Sequence, residues 1–173
     1  MDTPLPEAVN LAHPWGAAQA VAWAILAALL FAAVVADLRT RRIPNRLVAA
    51  GALSAMAQQA LLPLGPHPAV GPLYGTPGVF MGGMAAALML AIGALLWRIG
   101  LWGAGDAKWL AVLAGHAGPD GVWPLLCWTL LAGGVLALVW KLASRPNPMP
   151  YAVAIAAGEL ALIVSSMATP PDG

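Results

Sequence analysis

The stretch AAQAVAWAILAALLFAAVVADLRTRRIPN, residues 17–45, decides the fold class. From Ala17 to Ala36 it holds no charged side chain, and about 20 such residues in an α-helix cross the hydrocarbon core of a bilayer. Asp37 ends the apolar run, and Arg39, Arg41, Arg42 and Arg46 follow it. A helix that leaves lipid into an arginine cluster reads as a transmembrane span whose C-terminal end faces the cytoplasm. Ahead of the run lie Asp2 and Glu7 with no Lys or Arg. That is the reverse of the basic start of a signal peptide, so the span is read as retained.

The rest of the chain repeats the pattern. Apolar runs extend from Leu47 to Leu62, Val79 to Trp97, Ala107 to Ala117, Val122 to Trp140 and Tyr151 to Ala168. With 61% hydrophobic and 9% charged residues among 173, the composition lies outside the soluble globular range, where about a quarter of residues are charged. The expected fold is all-α: a polytopic membrane protein of six helices in one domain, residues 1–173, with ends 1–16 and 169–173 frayed. The Pro/Gly-rich connection from Pro63 to Gly78 is expected to hold little regular structure. The fourth helix is short. From Ala104 to Ala117 it rises roughly 20 Å at 1.5 Å per residue, against a core of about 30 Å, so Asp106 falls below the membrane surface or the helix is a partial span.

Charge placement orients the bundle. All eight basic residues fall after the first helix, around the third-to-fourth connection (Arg98 and Lys108) and after the fifth helix (Lys141 and Arg145). These are alternate connections, so one side of the membrane receives every Lys and Arg and both termini face outward. Trp97, Trp102, Trp109 and Trp140 are expected at the inner interface, Trp15 and Trp123 at the outer one. The single cysteine, Cys127, cannot form an intrachain disulfide and is read as a packing residue.

Three acids remain at or within the membrane: Asp37, Asp106 and Glu159. An ionisable side chain there costs several kcal/mol and is a functional candidate by default. Asp37 ends the first helix on the inward side and Asp106 starts the fourth from the same side. Two carboxylates at one depth can hydrolyse a peptide by sharing a proton: one deprotonates water, the other protonates or hydrogen-bonds the scissile carbonyl. No metal or cofactor is called for. Gly103, Ala104 and Gly105 leave the backbone bare before Asp106, able to take positive φ and to admit a substrate strand. Lys108 lies one turn into the helix. Ile43, Pro44 and Asn45 form a turn into the second helix, with Asn45 placed to cap it. His13, His67 and His116 have no metal-ligand spacing, and no serine lies in a nucleophile elbow. Glu159 is read as packing.

Asp37-Leu-Arg-Thr-Arg-Arg-Ile-Pro-Asn45 resembles the first signature of the type IV prepilin peptidases, and Gly103-Ala-Gly-Asp106-Ala-Lys108 resembles their Gly-x-Gly-Asp motif. Pro150-Tyr151 is similar to a recurring feature at the start of their last helix. The resemblance implies an aspartic endopeptidase that cuts the short basic leader of prepilins at the cytoplasmic face of a bacterial inner membrane, exposing a pilin that begins with a hydrophobic helix. Its catalytic aspartates fall on Asp37 and Asp106, with Gly103, Gly105, Lys108, Arg39, Pro44 and Asn45 in support. The expected partners are prepilins and the bilayer, not nucleic acid. Without the cysteine-containing insertion of the longer, methylating members, the chain is more similar to the peptidase-only branch that serves tight-adherence (Flp-type) pili. Methyltransferase activity is not expected.

Other readings stand beside this one. Asp37 could be an interfacial carboxylate paired with Arg39 or Arg41, and Asp106 an ordinary helix cap. An ion-coupled transporter or channel subunit could use the same acids to relay protons, and would show an internal repeat that the sequence lacks. A non-catalytic component of pilus assembly would tolerate loss of both carboxylates. A preflagellin or presenilin-like protease shares the Gly-x-Gly-Asp logic, but the Ile43-Pro44-Asn45 turn and the short chain favour the prepilin branch.

Overall fold

A computed structural model describes residues 14–61, 78–144 and 148–168. Five helices account for nearly all of these: α1 (Pro14–Thr40), α2 (Asn45–Leu61), α3 (Val79–Arg98), α4 (Ala104–Leu142) and α5 (Tyr151–Ala168). Three stretches, Ala20–Thr40, Val79–Arg98 and Ala104–Leu142, are long and apolar enough to cross a membrane, and Tyr151–Ser165 is a shorter apolar helix. Large apolar side chains such as Phe31, Phe80, Leu95 and Leu142 are exposed on the outside. That surface suits lipid, so the chain is an all-α membrane protein.

The five helices hold six helical segments, because the expected runs 107–117 and 122–140 are the two arms of one element, α4. Gly118 alone breaks it, at φ 73° and ψ 179°, a backbone open to glycine and closed to a residue with a Cβ. Pro119 starts the second arm directly, its missing N–H costing nothing in the first turn of a helix. The break reverses the chain. Trp102, just ahead of α4, packs against Tyr151 with ring centroids 5.9 Å apart. Gly133, in the second arm, also meets Tyr151: a Cβ on it would lie 2.7 Å from the hydroxyl oxygen. Along a straight helix Asp106 and Gly133 would stand about 40 Å apart. Both reach Tyr151, so α4 is a hairpin bent at Gly118.

The first arm of α4 is the centre of the bundle. Leu110, Leu113, Ala114, His116 and Ala117 are fully or almost fully buried, as expected of a helix that is apolar all round. Its shortness follows, since an arm enclosed by protein has no need to match the bilayer. α3 runs antiparallel to it at close range: a Cβ on Gly93 would lie 2.7 Å from that of Ala107, and one on Gly82 2.8 Å from the Gly115 carbonyl oxygen. Small residues permit this approach. α2 runs parallel to the same arm, with Gly51 against Trp109 and Val112.

Gln59 ties the far end together. Its Nε2 donates to the carbonyls of Gly115 (3.1 Å) and His116 (3.0 Å), and its Oε1 accepts from Gly78 N–H (3.0 Å) at the start of α3. One buried amide thus holds the last carbonyls before the bend and the first N–H of α3. His116 Nδ1 donates to Val112 O (3.0 Å), which leaves Nε2 to accept from the Ser54 hydroxyl (3.3 Å). Gln59→Leu keeps the shape but strands those three groups, an expected loss of about 1–3 kcal/mol, read as a lower thermal midpoint in detergent. Gln58→Leu is the contrast, since Gln58 Oε1 has no partner among the described residues; no loss there, with a loss at Gln59, is the expected pattern.

Smaller expectations need correction. α1 begins at Pro14, inside the stretch expected to fray; residues 1–13 and 169–173, the connection 62–77 and Arg145 lie outside the described residues. Cys127 is exposed rather than packed. Trp109 is a core residue at 1% exposure, not an interfacial anchor. Glu159 is fully buried on α5.

Candidate active site

The site is built at the end of the bundle opposite Gln59, where α1 ends and α2, the first arm of α4 and α5 begin. α1 stops because Arg41 turns into the left-handed region at φ 54°, its N–H closing on the Asp37 carbonyl at 2.9 Å. That conformation costs a non-glycine residue about 1–2 kcal/mol, and the Arg41 guanidinium is held over the Trp140 ring, 5.8 Å from its centroid. Asp37 therefore sits in the last turn of α1, 7% exposed. Its Oδ2 accepts a 3.0 Å bond from the Ala152 N–H in the first turn of α5. The Arg39 or Arg41 pairing considered for Asp37 is replaced by this backbone bond and by the stacking of Arg41 on Trp140.

Asp106 enters from α4. Gly103 is the N-cap, at φ −77° and ψ 147°, and Asp106 Oδ2 accepts its N–H at 3.2 Å. The carboxylate thus reaches back one turn as the acid of a capping box. Neither Gly103 nor Gly105 takes positive φ; Gly100 does, at 77°, where α3 ends with Leu101 N–H on Leu96 O (2.9 Å) and Gly100 N–H on Trp97 O (3.0 Å), a Schellman closure. Gly103 serves differently from what the sequence suggested. A Cβ on it would lie 2.8 Å from Asp106 Oδ2, so its bareness makes room for the carboxylate. Gly105 would carry a Cβ at ordinary contact distance from Ile43.

The two carboxyls lie within electrostatic reach of each other, and Tyr151, its ring packed against Trp102, lies within reach of Asp106. The rest of the expected set gathers nearby with altered partners. Asn45 does not cap α2: the Pro44 carbonyl accepts from Leu47 (2.9 Å) and Val48 (3.2 Å), while Asn45 Oδ1 accepts from Lys108 Nζ at 3.2 Å. The Asn45–Lys108 pair straps the start of α2 to the start of α4. Arg39 is exposed in the last turn of α1. Ala152, Trp102 and Tyr151 were not among the expected site residues. A backbone N–H leaves no mark in a sequence, and only the Pro150-Tyr151 pair hinted at this corner. Among the described residues no three His, Cys, Asp or Glu side chains gather to hold a metal ion.

The model of the type IV leader peptidase family matches residues 24–142. The chain belongs to the type IV leader peptidase family. Membership makes it a peptidase, and makes prepilins the class of substrate the family implies. The match begins within α1 and ends with α4, so it takes in both Asp37 and Asp106 of this leader peptidase. No curated protein and no solved structure matches it significantly.

Proposed function

We propose that this leader peptidase is an aspartic endopeptidase of a single domain, cutting the leader from Flp-type prepilins at the cytoplasmic face of a bacterial inner membrane with Asp37 and Asp106. The observation that carries the reading is the meeting of two carboxylates, from helices distant in the chain, each with Oδ2 fixed by a backbone N–H. Two such groups near each other share one proton: the ionised one takes a proton from water, and the protonated one gives its proton to the scissile carbonyl as the tetrahedral intermediate forms. The intermediate collapses as the C–N bond breaks: the proton held by the base passes to the leaving amine, and one hydroxyl of the intermediate returns a proton to the other carboxylate. The arginines grouped at this end fit the cytoplasmic side, which leaves both termini outside.

The test is co-expression of a Flp-type prepilin with the wild-type chain in membranes, followed by the mass of the pilin N-terminus. A new N-terminus at the leader junction, dependent on both carboxylates, is expected; an uncut prepilin in the presence of abundant, folded enzyme would sink the reading. A finer check is Gly103→Ala. The added methyl has to displace Asp106 Oδ2, and a carboxylate moved by a fraction of an ångström should slow cleavage about tenfold to a hundredfold while thermal stability holds. Cleavage at the wild-type rate would mean that the resting position of Asp106 does not matter.

A further inference from the structure

The two carboxylates are carried by helices that do not meet. No Cα of α1 lies within 8 Å of one in α4, whereas α2 and α5 pack on both. The spacing between Asp37 and Asp106 is therefore set by what stands between those helices. Each carboxylate is held by one N–H, Asp37 by that of Ala152 and Asp106 by that of Gly103. The residue directly ahead of each anchor is aromatic: Tyr151 precedes Ala152, and Trp102 precedes Gly103. These two rings pack on each other, with centroids 5.9 Å apart and planes tilted by 50°. Trp102 is buried, and the hydroxyl end of Tyr151 lies against Gly133 on the second arm of α4, so both rings are held by more than their mutual contact.

We infer that Trp102 and Tyr151 are the spacer of the carboxylate pair, two positioning residues whose ring contact fixes how far apart the N–H anchors stand. The inference rests on the peptidase reading and deepens it by naming what sets the geometry of the site. One planar, rigid peptide joins each ring-bearing residue to its anchor, so a displacement at the ring contact is passed to the carboxylate almost undiminished. The chemistry depends on that distance. Like charges held close resist ionising together, which keeps one carboxyl protonated and the other ionised over a broad span of pH. Carboxyls that drift apart lose part of that span, and with it their common reach to one water and one carbonyl. The α2 side offers no comparable wedge. There Asn45 and Lys108 meet through exposed side chains at 3.2 Å, and Gly105 has no side chain to set against Ile43.

The test is steady-state cleavage of a Flp-type prepilin by the purified chain in detergent, followed as a function of pH. Tyr151→Leu removes the ring and should lower kcat about tenfold to a hundredfold with KM within about twofold of wild type. It should also narrow the bell-shaped pH profile of kcat by about one pH unit, the change expected when two carboxyls about 4 Å apart retreat to about 6 Å at an effective dielectric constant of about 20. Tyr151→Phe restores the ring and should restore both readouts. Trp102→Phe shortens the contact and should fall between, which keeps the test decisive where the leucine variant does not fold. The charged groups on the elements around the pair, Arg39 and Arg41 by α1, Arg46 on α2, Arg98 on α3 and Lys108 on α4, are the same in every variant, so a narrower bell reports the carboxylates. A bell of wild-type width in Tyr151→Leu and Trp102→Phe overturns the spacer and leaves the peptidase reading standing. Tyr151→Phe as slow as Tyr151→Leu overturns it as well, since the hydroxyl rather than the ring would then act. Failure of the wild type to cut any Flp-type prepilin removes the peptidase reading and the spacer with it.

Discussion

Asp37→Asn and Asp106→Asn should each lower prepilin cleavage by about a thousandfold or more, a loss of about 4 kcal/mol of transition-state stabilisation, with protein abundance and melting unchanged. The amide is chosen for its shape. An asparagine at position 37 still accepts the Ala152 N–H through its carbonyl oxygen, and one at position 106 still accepts the Gly103 N–H. Alanine at position 37 would instead leave the buried Ala152 N–H unpaired, at about 1–3 kcal/mol, and would mix folding with chemistry. What the amide cannot do is carry the shared proton. Because the two carboxylates act as one unit, the double variant should be no worse than either single one. Multiplying losses, or cleavage in either variant within about tenfold of wild type, would mean that the groups do not share a step. A transporter would behave differently: no prepilin would be cut by the wild type, and the same substitutions would alter ion movement.

How far the sequence could be read depended on what kind of interaction decided each feature. The membrane character and the shared end of Asp37, Asp106 and the arginines were legible, because hydropathy and charge act residue by residue. The Gly118-Pro119 break was visible as a gap between apolar runs, yet a single glycine reversing a helix without a loop leaves the same trace as a short connection. Hence the two runs were expected as separate helices where one sharply bent element formed. At the site, the carboxylates and their motif could be seen, but the groups that aim them could not. Ala152 contributes only its N–H, and any residue other than proline would supply one. Asn45 looked like a cap by its position at a helix start and became the acceptor for Lys108 through packing of α2 on α4. Gln59 was unremarked for the same reason, since its three partners come from α3 and α4.

Gly158→Leu should be the most disruptive substitution outside the carboxylates. A Cβ at this position would run into Thr129 Oγ1 and lie 2.8 Å from both the Cα and the N of Thr129. The hydroxyl can rotate away, whereas the backbone atoms belong to the second arm of α4 and move only if the arm moves. Even alanine meets this barrier, so a graded series is expected, with leucine past the usual 1–3 kcal/mol of an overpacked core. The consequence reaches the site through α5. Gly158 lies about 9 Å along the helix from Ala152, whose N–H holds Asp37, and Tyr151 is wedged between Trp102 and Gly133 at the same end. If α5 is levered off α4, the Asp37 carboxylate loses its anchor and cleavage falls together with the melting temperature in detergent. Gly103→Ala, by contrast, should slow cleavage with no change in melting. Should Gly158→Leu melt like the wild type, α5 would have room to slide on α4, and the anchoring of Asp37 by Ala152 would not depend on this contact.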